Sequence, residues 1–177
     1  MAAQPAASRG GLTAMASLPP YPGHGVFLPY LVNRATTFIN ARLQKAVLDP
    51  RGLTLTHWRV LAFLTTVEGL TMGALADATM TEQSTLSRSL RALESSGYVQ
   101  RRPCPEDSRA VRVHLTTEGR AQFDIMLEEI LLLESELLEG VSADEIDAVR
   151  GVLLRMIANC PDELNKAPRR KSAPDPF

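Results

Sequence analysis

A chain of 177 residues, 45% apolar and 22% charged, is long enough to build one domain around its own core. It holds no apolar run near the roughly 20 residues that cross a bilayer, and its N-terminus lacks the basic-then-apolar order of a secretory signal, so a cytoplasmic protein with reduced thiols is expected. Its two cysteines, Cys104 and Cys160, make neither a disulfide framework nor a zinc pattern, and three histidines with no glycine-rich phosphate loop or nucleophile elbow leave an enzyme, a metal site or a bound cofactor without support.

The net charge of −1 conceals an asymmetry. Between Arg88 and Arg112 stand six arginines against three acids, a local +3; between Val113 and Glu163 stand twelve acids against three arginines, a local −9. A basic block within an acidic chain points to one face suited to a polyanion. Charge alone also fits an ordinary solvated surface, so the pattern around the block has to decide.

In chain order, residues 1–25 are rich in Ala, Pro, Gly and Ser and read as a tail. Leu28, Leu31, Ala35, Phe38 and Ala46 recur at helical steps and predict an amphipathic helix ending near Asp49 and Pro50. After a turn at Arg51 and Gly52, Thr54 is a candidate N-cap for a second helix carrying Trp58, Val60, Leu61 and Leu64. Thr71 can cap a short third helix that buries Leu75 and Ala76. Thr81 can cap a fourth, closed by Gly97.

The period then changes. Tyr98 to Arg101 and Ala110 to Leu115 alternate as two strands, with Val111, Val113 and Leu115 on one face and Arg112 and His114 on the other. The turn-rich PCPEDS between them makes a hairpin. A long apolar helix follows Thr116-Thr117-Glu118-Gly119 and breaks at Gly140. Ser142 and Glu145 form a capping box for a last helix with Ile146, Val149, Leu153, Met156 and Ile157. Residues 166–177 read as a second tail.

Two short capped helices followed by a hairpin constitute a winged helix-turn-helix arrangement, so the expected fold is mainly α with a small β-hairpin. The fourth helix would then be the recognition helix, entering the major groove of double-stranded DNA. Its first turns offer Gln83, Ser84, Thr85, Ser87 and Arg88, followed by Arg91, all suited to base edges or phosphates, while Leu86, Leu90 and Leu93 face the core. Helix capping is the ordinary alternative for Ser84 and Thr85. In the hairpin, Arg109 is the candidate for insertion into a minor groove. Asp107 is placed to orient its guanidinium, and Arg101, Arg102 and Arg112 are assigned to phosphates or to the hairpin faces.

Over residues 26–162 the sequence resembles the MarR family of bacterial transcriptional regulators. The resemblance is carried by Gly52-Leu53-Thr54 with Trp58-Arg59-Val60-Leu61, Ser84-Thr85-Leu86-Ser87-Arg88, Leu93-Glu94 with Gly97, Asp107-x-Arg109, and Leu115-Thr116-x-Glu118-Gly119. It implies a domain over 26–165, with a winged helix-turn-helix at 54–118 and dimerisation helices at 26–50 and 120–162. It also implies a homodimer on a pseudo-palindromic operator, released by a small molecule or an oxidant. The chain departs from the family's acidic-then-basic pair before Leu-Glu, holding Arg91 and Ala92 there, and a cysteine between the wing prolines is outside the pattern.

The apolar surface of the long helix, with Leu131-Leu132-Leu133 and Leu137-Leu138, independently favours a dimer over a wholly buried core helix. Effectors in the family are often anionic aromatics. Tyr30, Arg34 and His57 are the candidate ligand groups, against an interhelical salt bridge for Arg34 and a helix-surface or capping role for His57. Cys104, beside arginines that favour its thiolate, is the candidate redox sensor, although the family's peroxide sensors carry theirs near the start of the first helix. A winged-helix module that binds protein is the remaining alternative.

Overall fold

The computed structural model describes residues 20–103 and 111–160. It divides into two compact units with the break between Ile39 and Asn40. Helix α1, Leu28–Leu43, runs through that break. Before the helix, in the first unit, Tyr21 meets His24 and Phe27 edge-on, with ring centroids 5.4 and 5.5 Å apart.

In the larger unit the chain leaves α1 through one wide turn at Gln44–Leu48 and a tight turn at Asp49–Arg51, ending on Gly52 at φ 63. The wide turn shifts the helical register. Ala46, predicted to lie on the apolar stripe, is exposed, and Val47 and Leu48 are buried in its stead. Gln44 locks the corner, its Nε2 donating to Asp49 Oδ1 at 2.6 Å and to Leu53 O at 2.9 Å while its Oε1 accepts from Leu55 N at 3.1 Å.

Helices α2 (Leu55–Thr66), α3 (Met72–Thr79) and α4 (Gln83–Ser95) then pack around a common core. Thr54 and Thr71 cap α2 and α3 as expected, each accepting from the backbone N–H three residues on. Thr81 does not cap α4. Its hydroxyl turns inward to Thr79 O at 3.1 Å, and the N-cap is Glu82, which makes no side-chain capping bond. The side chains of Val60, Leu61, Leu75, Leu86, Leu90 and Leu93 are completely buried. Each contributes about 1.5–3 kcal/mol of hydrophobic stabilisation.

The hairpin has a third strand. Strands β1 (Leu70–Thr71), β2 (Val99–Pro103) and β3 (Val111–Leu115) form an antiparallel sheet in the order β1-β3-β2, with Leu70 opposite Val113 and Arg101 opposite Val113 on the other side. Of the three apolar residues predicted on one face, Val113 is buried and Leu115 half-buried, whereas Val111 at the wing end is 47% exposed.

Helix α5, Thr117–Leu137, starts on Thr116, whose Oγ1 accepts from Gly119 N at 2.9 Å and donates to Gly97 O at 2.7 Å. Gly119 is there because the helix meets strand backbone: a Cβ at this position would lie 2.0 Å from Tyr98 O. Further along, Phe123 stacks on Trp58 at 4.9 Å, and Glu129 takes both terminal nitrogens of Arg51, at 3.0 and 2.5 Å. Arg42 pairs with Glu136. Helix α6, Ala143–Ala158, starts on the predicted Ser142–Glu145 capping box and buries none of its residues.

Candidate nucleic-acid interface

Helix α4 has two faces that do not mix. Leu86, Leu90 and Leu93 are fully buried, whereas Gln83, Ser84, Arg88 and Arg91 are exposed and Thr85 and Ser87 half-buried. Glu82 makes no side-chain cap, and the hydroxyls of Ser84 and Thr85 lie inside the first turn, so capping does not account for them. Thr85 Oγ1 instead accepts from Arg88 Nη2 at 3.5 Å, which draws that guanidinium along the exposed face. A helix face of one amide, three hydroxyls and two guanidiniums can donate to phosphates and to the acceptor edges of bases.

The turn that delivers α4 holds a residue the sequence does not mark. Met80 takes the left-handed conformation at φ 50, its N–H reaching Ala76 O and Asp77 O, and its side chain is 69% exposed. That conformation costs about 1–2 kcal/mol in a residue with a Cβ. A Gly or Asn there would have announced it.

In the sheet, β2 sends its two arginines to opposite faces. Arg101 shares the face of buried Val99, and its Nε lies 3.6 Å from Glu94 Oε2 on the last turn of α4. Arg102 is exposed and sits directly opposite Arg112 on β3. Arg112 in turn donates from Nη1 to Gly69 O at 3.1 Å. The neighbouring imidazole of His114 lies against Gly69, where a Cβ would come within 2.7 Å of its Cε1. Two guanidiniums opposed on one ladder repel unless an anion or carbonyl lies between them. Cys104, Asp107 and Arg109 lie outside the described residues.

The candidate ligand groups divide between the units. On α1, Tyr30 and Arg34 stand one turn apart; the Tyr30 ring meets His24 edge-on at 4.8 Å, and the Arg34 guanidinium lies 5.5 Å from the centroid of Phe38. In the larger unit, His57 closes a capping box: its Nδ1 accepts from Thr54 N at 3.2 Å and its own N–H donates to Thr54 Oγ1 at 3.3 Å. Burial holds its imidazole pKa below the ordinary value. With Nδ1 committed, only Nε2 is left to donate to a ligand. Among the described residues, no three His, Cys, Asp or Glu side chains group to hold a metal ion, and no helix is long and apolar enough to cross a membrane.

Comparison with known proteins agrees with this geometry. A sequence profile described as MarR family matches residues 51–110. A MarR-family transcriptional regulator from Silicibacter pomeroyi is 34% identical, with 78% of this chain and 93% of that chain covered and a TM-score of 0.70. A mutant MarR from E. coli complexed with operator DNA is 27% identical over 73% of this chain and 93% of its own, with a TM-score of 0.66. Bordetella bronchiseptica BpsR, whose DNA binding is regulated by 6-hydroxynicotinic acid, is 25% identical over 73% and 98%, also at 0.66. With its mainly helical fold and three-stranded wing, the chain belongs to the MarR family and is a DNA-binding transcriptional regulator, not an enzyme.

Proposed function

We propose that the protein is a homodimeric repressor that binds a pseudo-palindromic operator and is released by a small anionic aromatic effector. The observation that carries the DNA reading is the partition of α4, with three leucines wholly buried behind an exposed face of Gln83, Ser84, Arg88 and Arg91. Thr85 and Ser87 lie at the edge of that face. In this reading the α4 face enters the major groove, Arg102 meets phosphate beside it, and Arg109, braced by Asp107, probes the adjacent minor groove.

The dimer is supported by α6, which is amphipathic yet has no fully buried residue within its own chain: Val149, Leu154 and Ile157 are 57, 60 and 57% exposed. Leu132 on α5 is 67% exposed. Apolar surface on that scale marks an interface, and an isolated helix of 16 residues is marginal in water without one. A two-fold dimer presents two α4 helices to two half-sites.

For the effector, the support is the regulation of BpsR by 6-hydroxynicotinic acid together with the Tyr30–Arg34 pair on α1. A guanidinium suits a carboxylate and a phenol ring suits an aromatic face.

Gel shifts on the duplex upstream of its own gene test the function. A specific complex is expected whose log affinity falls steeply and linearly with log salt, because each neutralised phosphate releases counterion. Affinity for DNA that barely responds to salt, or no specific complex at all, refutes the reading. Adding 6-hydroxynicotinate or a related aromatic acid is expected to dissociate the complex, and Arg34→Ala to abolish that release while leaving DNA affinity intact.

A further inference from the structure

Glu94 stands in a place that two general rules disfavour. A carboxylate on the last turn of a helix opposes the helix dipole, and an acid inside the arginine block from Arg88 to Arg112 repels the phosphates that block would attract. Its partner is Arg101, 3.6 Å away across the corner from α4 to β2, with 40% of the Glu94 and 32% of the Arg101 side chain exposed.

We infer that Glu94 is a positioning residue for DNA binding, acting through Arg101 to set the wing strand relative to the recognition helix; the inference rests on the DNA-binding reading above. The corner between the two elements is short. Gly97 turns it at φ 77, Tyr98 N returns to Leu93 O at 2.9 Å, and Thr116 Oγ1 holds Gly97 O at 2.7 Å. These bonds fix where β2 begins. Beyond Tyr98 the strand is laddered to β3 from Val99 to Pro103, so it leans only with the whole sheet, and the ion pair from Glu94 to Arg101 ties that sheet to the last turn of α4.

The lever is long. The five residues of β2 extend about 15 Å, so a tilt of the sheet by about 10° against α4 moves the strand's far end by about 2.5 Å. A displacement of that size takes an arginine out of hydrogen-bonding reach of a phosphate or a groove. Arg101 is thus a strut, whereas its neighbour Arg102 lies on the opposite face, opposite Arg112.

The test uses the full-length dimer and its own upstream duplex across a series of salt concentrations. Glu94→Gln and Arg101→Gln are each expected to weaken specific binding about fivefold, the double substitution no further than either alone. The salt slope stays unchanged because no phosphate contact is lost. Melting temperatures are expected to stay within about 2 °C, since an exposed ion pair adds little to folding. The charge-reversed pair Glu94→Arg with Arg101→Glu is expected to recover affinity to within about threefold of the wild type, while each reversal alone is weak.

A bystander acid gives the opposite sign, because removing a negative charge beside DNA tightens binding. Tighter binding by Glu94→Gln, or a salt slope lowered by about one in Arg101→Gln, overturns the inference. Failure of the wild type to show a salt-sensitive specific complex refutes the DNA reading instead, so the two failures are distinguishable.

Discussion

The winged lobe and the last helix are built on opposite terms. From α2 into α5 the chain buries Leu61, Leu75, Leu86, Leu90 and Leu93 completely, ties its corners with Thr54, Thr71 and Thr116, and stacks Trp58 on Phe123. Helix α6 has an equally well-formed start, the Ser142–Glu145 box, and then fully buries none of its residues, with only Ile146, Gly151 and Met156 half-buried. Good local signals therefore begin both regions, but only one of them is stabilised within the chain. The lobe has the fixed geometry that reading a duplex demands. The last helix keeps an exposed apolar face, and in the proposed dimer that face would make spacing between two lobes a property of the assembly.

The sharpest way to break this contrast is to spoil α6 and leave the lobe alone. Replacing both Leu154 and Ile157 by Asp is expected to yield monomers by sedimentation and to lower operator affinity about 100-fold or more, the scale lost when two linked contacts become one. The lobe's own melting is expected to persist. A double variant that stays dimeric and binds normally would remove α6 from the interface.

Next in size is Gly119→Ala, which attacks the lobe. A Cβ there, fixed rigidly to the helix backbone, meets the strand carbonyl of Tyr98 at 2.0 Å, so neither side yields easily. Overpacking of this kind costs about 1–3 kcal/mol, and the upper end is expected from thermal or denaturant unfolding.

The two regions were also unequally legible in the sequence. Period and capping residues reported the lobe's helices because each signal is local: Leu86, Leu90 and Leu93 at helical steps, Thr54 and Thr71 before them, Gly97 after. Features that depend on distant partners were silent. Strand β1 is two residues whose only reason to extend is β3, some forty positions on. Thr81 satisfies the rule for an N-cap, but its hydroxyl finds Thr79 O inside the fold. The register slip that exposes Ala46 needs the wide turn at Gln44–Leu48, which no residue type announces. On the site itself, the polar run along α4 stood in the sequence at helical spacing opposite its leucines, whereas the pairing of Arg101 with Glu94 and the placing of Arg102 opposite Arg112 required the strand to be seen against the helix.

Arg88→Ala probes that face with a smaller effect. The side chain is exposed and its hydrogen bond to Thr85 Oγ1 is long at 3.5 Å, so folding is expected to change by less than about 0.5 kcal/mol. Specific DNA affinity is expected to fall by about 1–3 kcal/mol if Arg88 reads a base, with relaxed discrimination at one operator position. A uniform loss over all sequences, with a salt slope lower by about one, would make it a phosphate contact.

The smallest effect sharpens the boundary between structure and sensing at His57. Its imidazole accepts the Thr54 N–H through Nδ1, which only the neutral ring can do, and burial lowers its pKa from the ordinary value near 6.5. As pH falls below that value the unfolded chain takes up the proton first, so stability present above about 6.5 is progressively lost on the acid side. Glutamine, the usual partner at this place in a capping box, accepts the same N–H without titrating. His57→Gln is therefore expected to leave neutral stability within about 1 kcal/mol and to flatten the acid limb of a stability–pH profile. If the substituted protein also keeps its response to aromatic acids, His57 is a cap alone. If DNA release is lost while the cap survives, the Nε2 donor belongs to the effector site, and one side chain both starts a lobe helix and reports the ligand.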